Sequence, residues 1–138
     1  MILAIVVVVL VLACAGGIAA FVLAVNNSPA KATAQQYYDA IQGQDYNKAY
    51  SYLDSTDITV DGQPLTQQVY SAQARIRDAQ KGKVSSYSID SINLNSSTGS
   101  GNTASITVHV TRNGASYDVH LGLRQEGNDW KITSIDDI

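Results

Sequence analysis

Alternating apolar and polar residues flank an Asn-Gly pair near the C-terminal end of the chain. Asn113 and Gly114 suit a type I′ turn, because both central residues of that turn have positive φ. We therefore predict an antiparallel hairpin within residues 105–123. Its register pairs Arg112 with Ala115, Val110 with Tyr117, Val108 with Val119, Ile106 with Leu121 and Ala104 with Leu123. The hairpin then has one apolar and one polar face.

Two further segments extend this sheet to four strands or more. A turn at Gly127-Asn128 adds a C-terminal strand that pairs Leu123 with Ile132 and Gln125 with Trp130. The strand before the hairpin changes parity near Asp90-Ser91, which predicts a β-bulge. Residues 96–102, rich in Gly and Ser, are predicted to be a loop. The predicted core face consists of Ile106, Val108, Val110, Tyr117, Val119, Leu121, Leu123, Trp130 and Ile132.

Three amphipathic helices are predicted before the sheet. Ser28-Pro29 is typical of a helix start, with a capping hydroxyl followed by proline at the first position, and Gly43 ends that helix. Asp45 caps a short second helix, and residues 55–64 form a loop. The third helix ends near Lys81-Gly82. Apolar residues at helical spacing give its predicted buried stripe, which is Leu65, Val69, Ala72, Ile76 and Ala79.

The N-terminal region differs sharply from the rest, because residues 2–25 include no charged or strongly polar side chain. As a helix this run is about 36 Å long, enough to cross a hydrocarbon core of about 30 Å with some tilt. We predict a transmembrane anchor in residues 1–27 and one domain in residues 28–138. The expected location is the cell membrane, single-pass, with the C-terminal domain outside the cytoplasm.

Alternatives to a plain anchor remain open. The run could be a cleaved signal peptide, although it lacks a basic flank and is longer than such segments. Residues 11–14 resemble a lipoprotein processing box, in which Cys14 would be acylated. Ala13, Gly16, Gly17 and Ala20 offer the small-xxx-small spacing that permits close packing of two anchors in a homodimer. The apolar run has no basic residues before it, so a cytoplasmic segment that precedes Met1 is a further possibility.

Charge and cysteine content exclude several classes of function. The formal net charge is −3 and no cluster of Lys or Arg occurs, which argues against nucleic acid as a partner. The single cysteine, Cys14, lies within the apolar run, so the domain has no disulfide or thiol chemistry. We predict no cofactor.

The order of elements resembles the nuclear transport factor 2-like superfamily, in particular its bacterial membrane-anchored or lipoprotein members of unassigned function. The residues that carry the resemblance are Tyr37, Tyr38, Ala40, Ile41, Gly43, Asp45, Tyr46, Ala49, Tyr50 and Leu53 at the front and Trp130, Lys131 and Ile132 at the back. The resemblance implies a cone-shaped α+β domain, with about three helices packed on a curved antiparallel sheet. It also implies a pocket between the concave sheet face and the helices.

Enzymes of that superfamily, such as ketosteroid isomerases and dehydratases, place an Asp or His inside the cone as general base. The predicted core face contains neither residue type. Asp39 and Asp78 flank helix stripes and are expected in solvent. Asp90, beside the predicted bulge, is therefore the one weak candidate for an inward catalytic acid.

Two other groups of residues could form a site. His109 lies opposite Asp118 and diagonal to His120 on the polar sheet face, where they could bind a metal, act as a dyad, or simply form a polar surface; we predict no metal. Because buried tyrosines need hydroxyl partners, aromatic residues could line a semi-polar pocket or be half-exposed core residues. The pocket candidates are Tyr37, Tyr50, Tyr87, Tyr117 and Trp130.

The sequence therefore predicts a membrane-anchored domain that binds a small amphipathic ligand or an envelope protein without catalysis. The alternatives are an isomerase- or dehydratase-like enzyme that uses an inward acid, and a purely structural interaction module.

Overall fold

Three helices precede a four-stranded antiparallel sheet in the computed structural model, which describes residues 28–97, 99 and 101–137. The helices are α1 (Pro29–Gln42), α2 (Tyr46–Ser51) and α3 (Gln67–Lys81). A short hairpin, β1 (Thr59–Val60) and β2 (Gln63–Pro64), separates α2 from α3. The main sheet is a meander of β3 (Val84–Ser97), β4 (Gly101–Arg112), β5 (Ala115–Glu126) and β6 (Asp129–Ile135). The predicted α+β class is confirmed.

The predicted anchor in residues 2–25, with Cys14, Gly16 and Gly17, lies outside the described residues. Among the helices that the structure does describe, none is long and apolar enough to cross a membrane. The anchor therefore stays a prediction.

The hairpin at Asn113 and Gly114 has the predicted turn and register. Their φ angles are 48° and 80°, and all five predicted pairs are observed between β4 and β5. The apolar face is buried against the helices, except that Tyr117 and Trp130 are half-buried. The pairs of Leu123 with Ile132 and of Gln125 with Trp130 are also confirmed.

The first strand of the meander is longer than predicted. Its bulge lies between Ile89 and Ser91, as predicted, and a second irregularity follows Val84. The predicted loop at residues 96–102 is largely wrong, because β3 continues to Ser97 and β4 begins at Gly101. Asn and Ser residues here continue the ladder with β4, so strand pairing outweighs their low intrinsic preference for strands.

Helix α1 begins and ends as predicted. The Ser28 hydroxyl accepts a hydrogen bond from the Lys31 backbone N–H at 3.3 Å, and Gly43 forms the C-cap. The Asp45 carboxylate caps α2 by accepting from the Lys48 N–H at 3.1 Å. Both caps satisfy backbone donors that a helix start leaves unpaired.

The loop predicted over residues 55–64 contains a short hairpin instead. Its turn is formed by Asp61 and Gly62, whose φ angles are 52° and 75°. Asp-Gly between short apolar runs is itself a hairpin signal, although each strand here has only two residues.

The predicted buried stripe of α3 is wrong except for Leu65. Val69 is 39% exposed and Ile76 is 54% exposed, and Ala72 and Ala79 also face solvent. The buried residues of α3 are Tyr70, Ser71 and Ala74. A large aromatic ring and a buried ion pair, described below, decide which side of this helix faces the sheet.

Candidate functional site

A buried ion pair joins the C-terminal half of α3 to the end of β4. Arg112 shares the parity of the apolar β4 positions, so it points to the core side, where only 3% of it is exposed. Its Nη1 donates to Asp78 Oδ1 and to the Gly82 carbonyl oxygen at 2.8 Å, and its Nε donates to the Tyr117 hydroxyl at 2.8 Å. The Asp78 side chain is 7% exposed.

Both carboxylate oxygens of Asp78 are engaged. Oδ1 accepts from Arg112, while Oδ2 accepts from the Tyr46 hydroxyl and from Gln44 Nε2 at 3.4 Å. The prediction that Asp78 lies in solvent is therefore wrong. Arg112 could have indicated this buried carboxylate from the sequence. It occupies a position of β4 that the alternating pattern assigns to the core, and a buried cation requires a buried partner.

The surroundings of Arg112 favour its charged form. Burial lowers the pKa of Arg112, but its hydrogen bonds to Asp78 and Tyr117 outweigh burial and raise that pKa above its usual value. Burial, followed by the hydrogen bond to Asp78, raises the pKa of the Tyr46 hydroxyl. The Arg112 guanidinium therefore stays charged, and the Tyr46 phenol on the other side of Asp78 stays neutral.

A cleft of about 420 Å³ lies beside this pair. Its lining residues are Lys81, Arg112, Asn113, Ala115, Ser116 and Tyr117. The Lys81 ammonium lies 5.1 Å from the centre of the Tyr117 ring and 3.4 Å from Asp137 Oδ2. Arg77 also pairs with Asp137, so this end of the domain combines one aromatic ring with paired charges.

Tyrosine rings fill the space between the helices and the sheet. Tyr37 and Tyr70 have no exposed surface, and the Tyr70 hydroxyl donates to the Tyr37 hydroxyl at 2.9 Å. The Tyr38 ring packs edge-on against Tyr37 with 5.1 Å between centroids, and Tyr50 packs on Tyr70 at 5.9 Å. Burial, reinforced by Tyr70, raises the pKa of Tyr37 well above its usual value, so its hydroxyl stays neutral.

Three of the five predicted pocket residues, Tyr37, Tyr50 and Tyr87, belong to one packed tyrosine cluster, whereas Tyr117 and Trp130 lie elsewhere. Tyr37 is in the core, whereas Tyr50 donates to the Leu65 carbonyl oxygen at 2.7 Å. Tyr87 donates across to α1, to Asp39 Oδ1 at 2.5 Å and to the Gln35 carbonyl oxygen. Tyr117 lines the cleft beside Arg112, and Trp130 is half-buried next to the β5–β6 turn. The structure does not gather them around one pocket.

Asp90 is exposed at the bulge of β3, so it does not face the interior. The candidate inward acid is therefore placed on the outside of the domain. The residue that sequence reasoning assigned to solvent, Asp78, is the carboxylate that the fold buries.

The two histidines of the outer sheet face belong to different pairs. His109 Nδ1 lies 2.7 Å from Asp118 Oδ1, and His120 Nδ1 lies 2.7 Å from Asp136 Oδ2. Burial would raise the pKa of Asp136, but hydrogen bonds from the His120 backbone and ring outweigh it and lower that pKa. Within residues 28–97, 99 and 101–137, no three His, Cys, Asp or Glu side chains converge as metal ligands would.

Comparison with solved structures finds the same fold in several bacterial proteins. An NTF2-like protein of unknown function from Silicibacter pomeroyi matches with a TM-score of 0.52 and 18% identity, over 76% of this chain and 87% of that one. A protein named as an NTF2-like transpeptidase from Campylobacter jejuni matches with a TM-score of 0.51 and 16% identity, over 74% and 94%. The protein Aln2 from a Streptomyces species matches with a TM-score of 0.53 and 13% identity, over 76% and 83%.

No protein-family model and no curated protein matches the chain. At these identities the structural matches establish the fold alone. The predicted resemblance to the nuclear transport factor 2-like superfamily is confirmed at that level.

Proposed function

We propose that this chain, which has the nuclear transport factor 2-like fold, binds a protein partner without catalysing a reaction. The observation that carries the proposal is the filled interior, where Tyr37 and Tyr70 are fully buried and bonded to each other. A ligand between the helices and the sheet would have to displace these rings. Removing a large aromatic ring from a packed core costs about 3–5 kcal/mol.

The state of the buried carboxylate also supports binding rather than catalysis. A general base needs a lone pair within hydrogen-bond reach of the substrate proton. Both oxygens of Asp78 are used by Arg112, Tyr46 and Gln44. Withdrawing Asp78 from Arg112 would leave a buried, unpaired charge, at a cost of about 3–5 kcal/mol. The ion pair therefore serves to fix α3 against β4.

The apolar run at residues 2–25 supports a membrane tether, and analogy with signal-anchored proteins supports a place for the domain outside the cytoplasm. A tethered domain meets other proteins of the same membrane at high effective concentration, so modest contact areas suffice. An envelope protein is therefore the proposed partner.

Chemical crosslinking in native membranes tests this proposal. We expect the chain to crosslink to a specific polypeptide, and we expect a Tyr70→Phe variant to retain that crosslink because the interior is not the binding site. A chain that crosslinks to no protein but co-purifies with a stoichiometric small molecule would contradict the proposal.

A second candidate function is favoured by the cleft beside Tyr117. Its volume, about 420 Å³, falls in the range of small-ligand sites, and the Lys81 ammonium next to an aromatic ring suits an anionic amphiphile. Decanoate below its micelle concentration is a suitable probe in a thermal-shift assay. If this candidate is right, decanoate should raise the melting temperature of the wild-type chain and of Tyr117→Phe, but not that of Tyr117→Ala. If decanoate leaves the melting temperature of the wild-type chain unchanged, this candidate is eliminated.

A further inference from the structure

Helix α3 has a second apolar face that the rest of the described domain leaves uncovered. We call it the outer seam, and it consists of Val69, Ala72, Ile76 and Ala79. The intervals of three and four residues align them on one side of a helix. At 3.6 residues per turn, the centre of the seam lies about 140° from the buried Tyr70 and about 180° from the buried Ala74.

Isolated exposed apolar residues are ordinary in soluble proteins, but an aligned row is not. Ile76 is 54% exposed although the helix has a separate buried side. Packing within the domain therefore does not explain the pattern. An aligned row at this spacing is the arrangement through which one helix binds another.

The charged residues of α3 indicate which kind of helix would bind to the seam. Helix α3 carries Arg75, Arg77 and Lys81 but a single acid, Asp78, which is paired inward with Arg112. Arg77 and Lys81 pair with Asp137. Arg75 is thus the basic group beside the seam that Asp137 does not pair, and its guanidinium carbon lies 5.8 Å from the centre of the Tyr46 ring.

Grooves border the seam on both sides. A cleft of about 640 Å³ is lined in part by Gln68, Ala72 and Arg75, and one of about 360 Å³ by Gln73, Ile76, Arg77 and Gln80. Glutamine amides and the Arg75 guanidinium at these edges offer hydrogen-bond donors to carboxylates.

From these observations we propose that the outer seam binds an amphipathic α-helix of the partner protein, with Asp or Glu beside its apolar stripe. This inference rests on the proposed function, since it names the surface and the partner chemistry of the same binding activity. A second copy of the chain is a poorer occupant. In a two-fold pairing of α3 helices, Arg75 near the helix midpoint would lie beside Arg75 of the other copy.

Site-specific photocrosslinking of the full chain in native membranes tests the seam. A photoreactive residue replaces Ile76 in one variant and Ser88, exposed on β3, in the matched control. We expect the Ile76 probe, and not the Ser88 probe, to label a polypeptide, with the label mapping to an acidic amphipathic helix.

Reversing the charge of Arg75 tests whether the partner helix carries acidic residues. Arg75→Glu should reduce the yield from the Ile76 probe about threefold at low salt, and less at high salt, as expected for an exposed charge pair. Lys48→Glu on α2 is the control and should leave the yield unchanged. Melting temperatures near that of the wild-type chain would show that these exposed substitutions preserve the fold.

The other outcomes separate the two proposals. Labelling from Ser88 alone would overturn the seam while leaving protein binding intact. Labelling of a second copy, or of a helix without acidic flanks, from Ile76 would overturn the proposed partner chemistry. Labelling of no polypeptide from either position would overturn both proposals.

Discussion

At the scale of single residues, one buried ion pair links α3 to strand β4 of the sheet. Arg112 and Asp78 are both nearly inaccessible and each completes the hydrogen bonding of the other. Such a pair adds little net stability compared with apolar residues of the same shape, but it makes the loss of one partner costly. It therefore specifies the position of the helix more than it stabilises the fold.

A double-mutant cycle should show this coupling. Arg112→Met leaves Asp78 buried without its cation, and we expect about 3 kcal/mol less stability. Asp78→Leu alone should cost a similar amount. The double variant should lose clearly less than the sum, measured by denaturant unfolding of the purified chain. Additive losses would show that the pair is not coupled in the folded protein.

The tyrosine pair in the core predicts a second non-additive result. Tyr70→Phe removes the donor to Tyr37 and leaves a buried hydroxyl unsatisfied, which should cost about 1–3 kcal/mol. Removing both hydroxyls together should be nearly neutral, because both rings stay in place. Unfolding midpoints of the two single variants and the double variant check this. A double variant as unstable as the sum of the single variants would contradict the pairing.

Stability at low pH should depend on Asp54. Its hydrogen bond from the Thr56 hydroxyl is the largest cause that lowers the pKa of Asp54, to about 2. Because the folded pKa lies below the unfolded value near 4, the contribution is present above about pH 4 and is lost as pH falls towards 2. The free energy of unfolding should therefore fall less between pH 5 and pH 2 in Asp54→Asn than in the wild-type chain, by about 1–2 kcal/mol. Urea unfolding at pH 2, 3 and 5 measures this difference. An unchanged pH profile would contradict this role.

At the scale of elements, the sequence predicts the turns and helix caps, because these depend on residues that are close together in the chain. The turn at Asn113-Gly114 fixes its register through backbone φ angles, and the caps at Ser28 and Asp45 are local hydrogen bonds. The inner side of α3 was missed because its burial depends on residues far away in the chain. Asp78 is buried because Arg112 reaches it across 34 positions, and Tyr70 because it bonds to Tyr37.

The candidate site was therefore predicted only in part. Tyr37 and Tyr117 were correctly expected to need hydroxyl partners, but a sequence does not specify which side chain supplies the partner. On the core face of β4 the buried charge is Arg112, and the acid that pairs with it, Asp78, lies on α3 and not on the sheet.

The junction between α3 and the hairpin gives a prediction at this scale. Gly82 has φ of 84°, and a Cβ at this position would lie 2.9 Å from the Asn113 Cβ. Gly82→Ala should therefore cost more than the roughly 1–2 kcal/mol typical of a left-handed non-glycine residue. Gly99→Ala, where nothing lies within 4 Å of the added Cβ, is the matched control. Equal melting temperatures of the two variants would contradict the close approach.

At the scale of the whole molecule, one face of the sheet is closed by helices and tyrosine rings, whereas the other is polar and exposed. The fold is shared with NTF2-like proteins. Within its described residues, this chain combines a filled interior with an exposed apolar row on α3. Both features support the proposal that binding takes place on the outside of the domain.

Native mass spectrometry of the full chain, gently extracted from its own membrane, measures directly what the domain holds. We expect a complex with a second, different polypeptide, and we expect no stoichiometric small molecule to be retained when that complex is dissociated. A chain that carries one small amphipathic molecule and no polypeptide would show that the proposed protein binding is wrong.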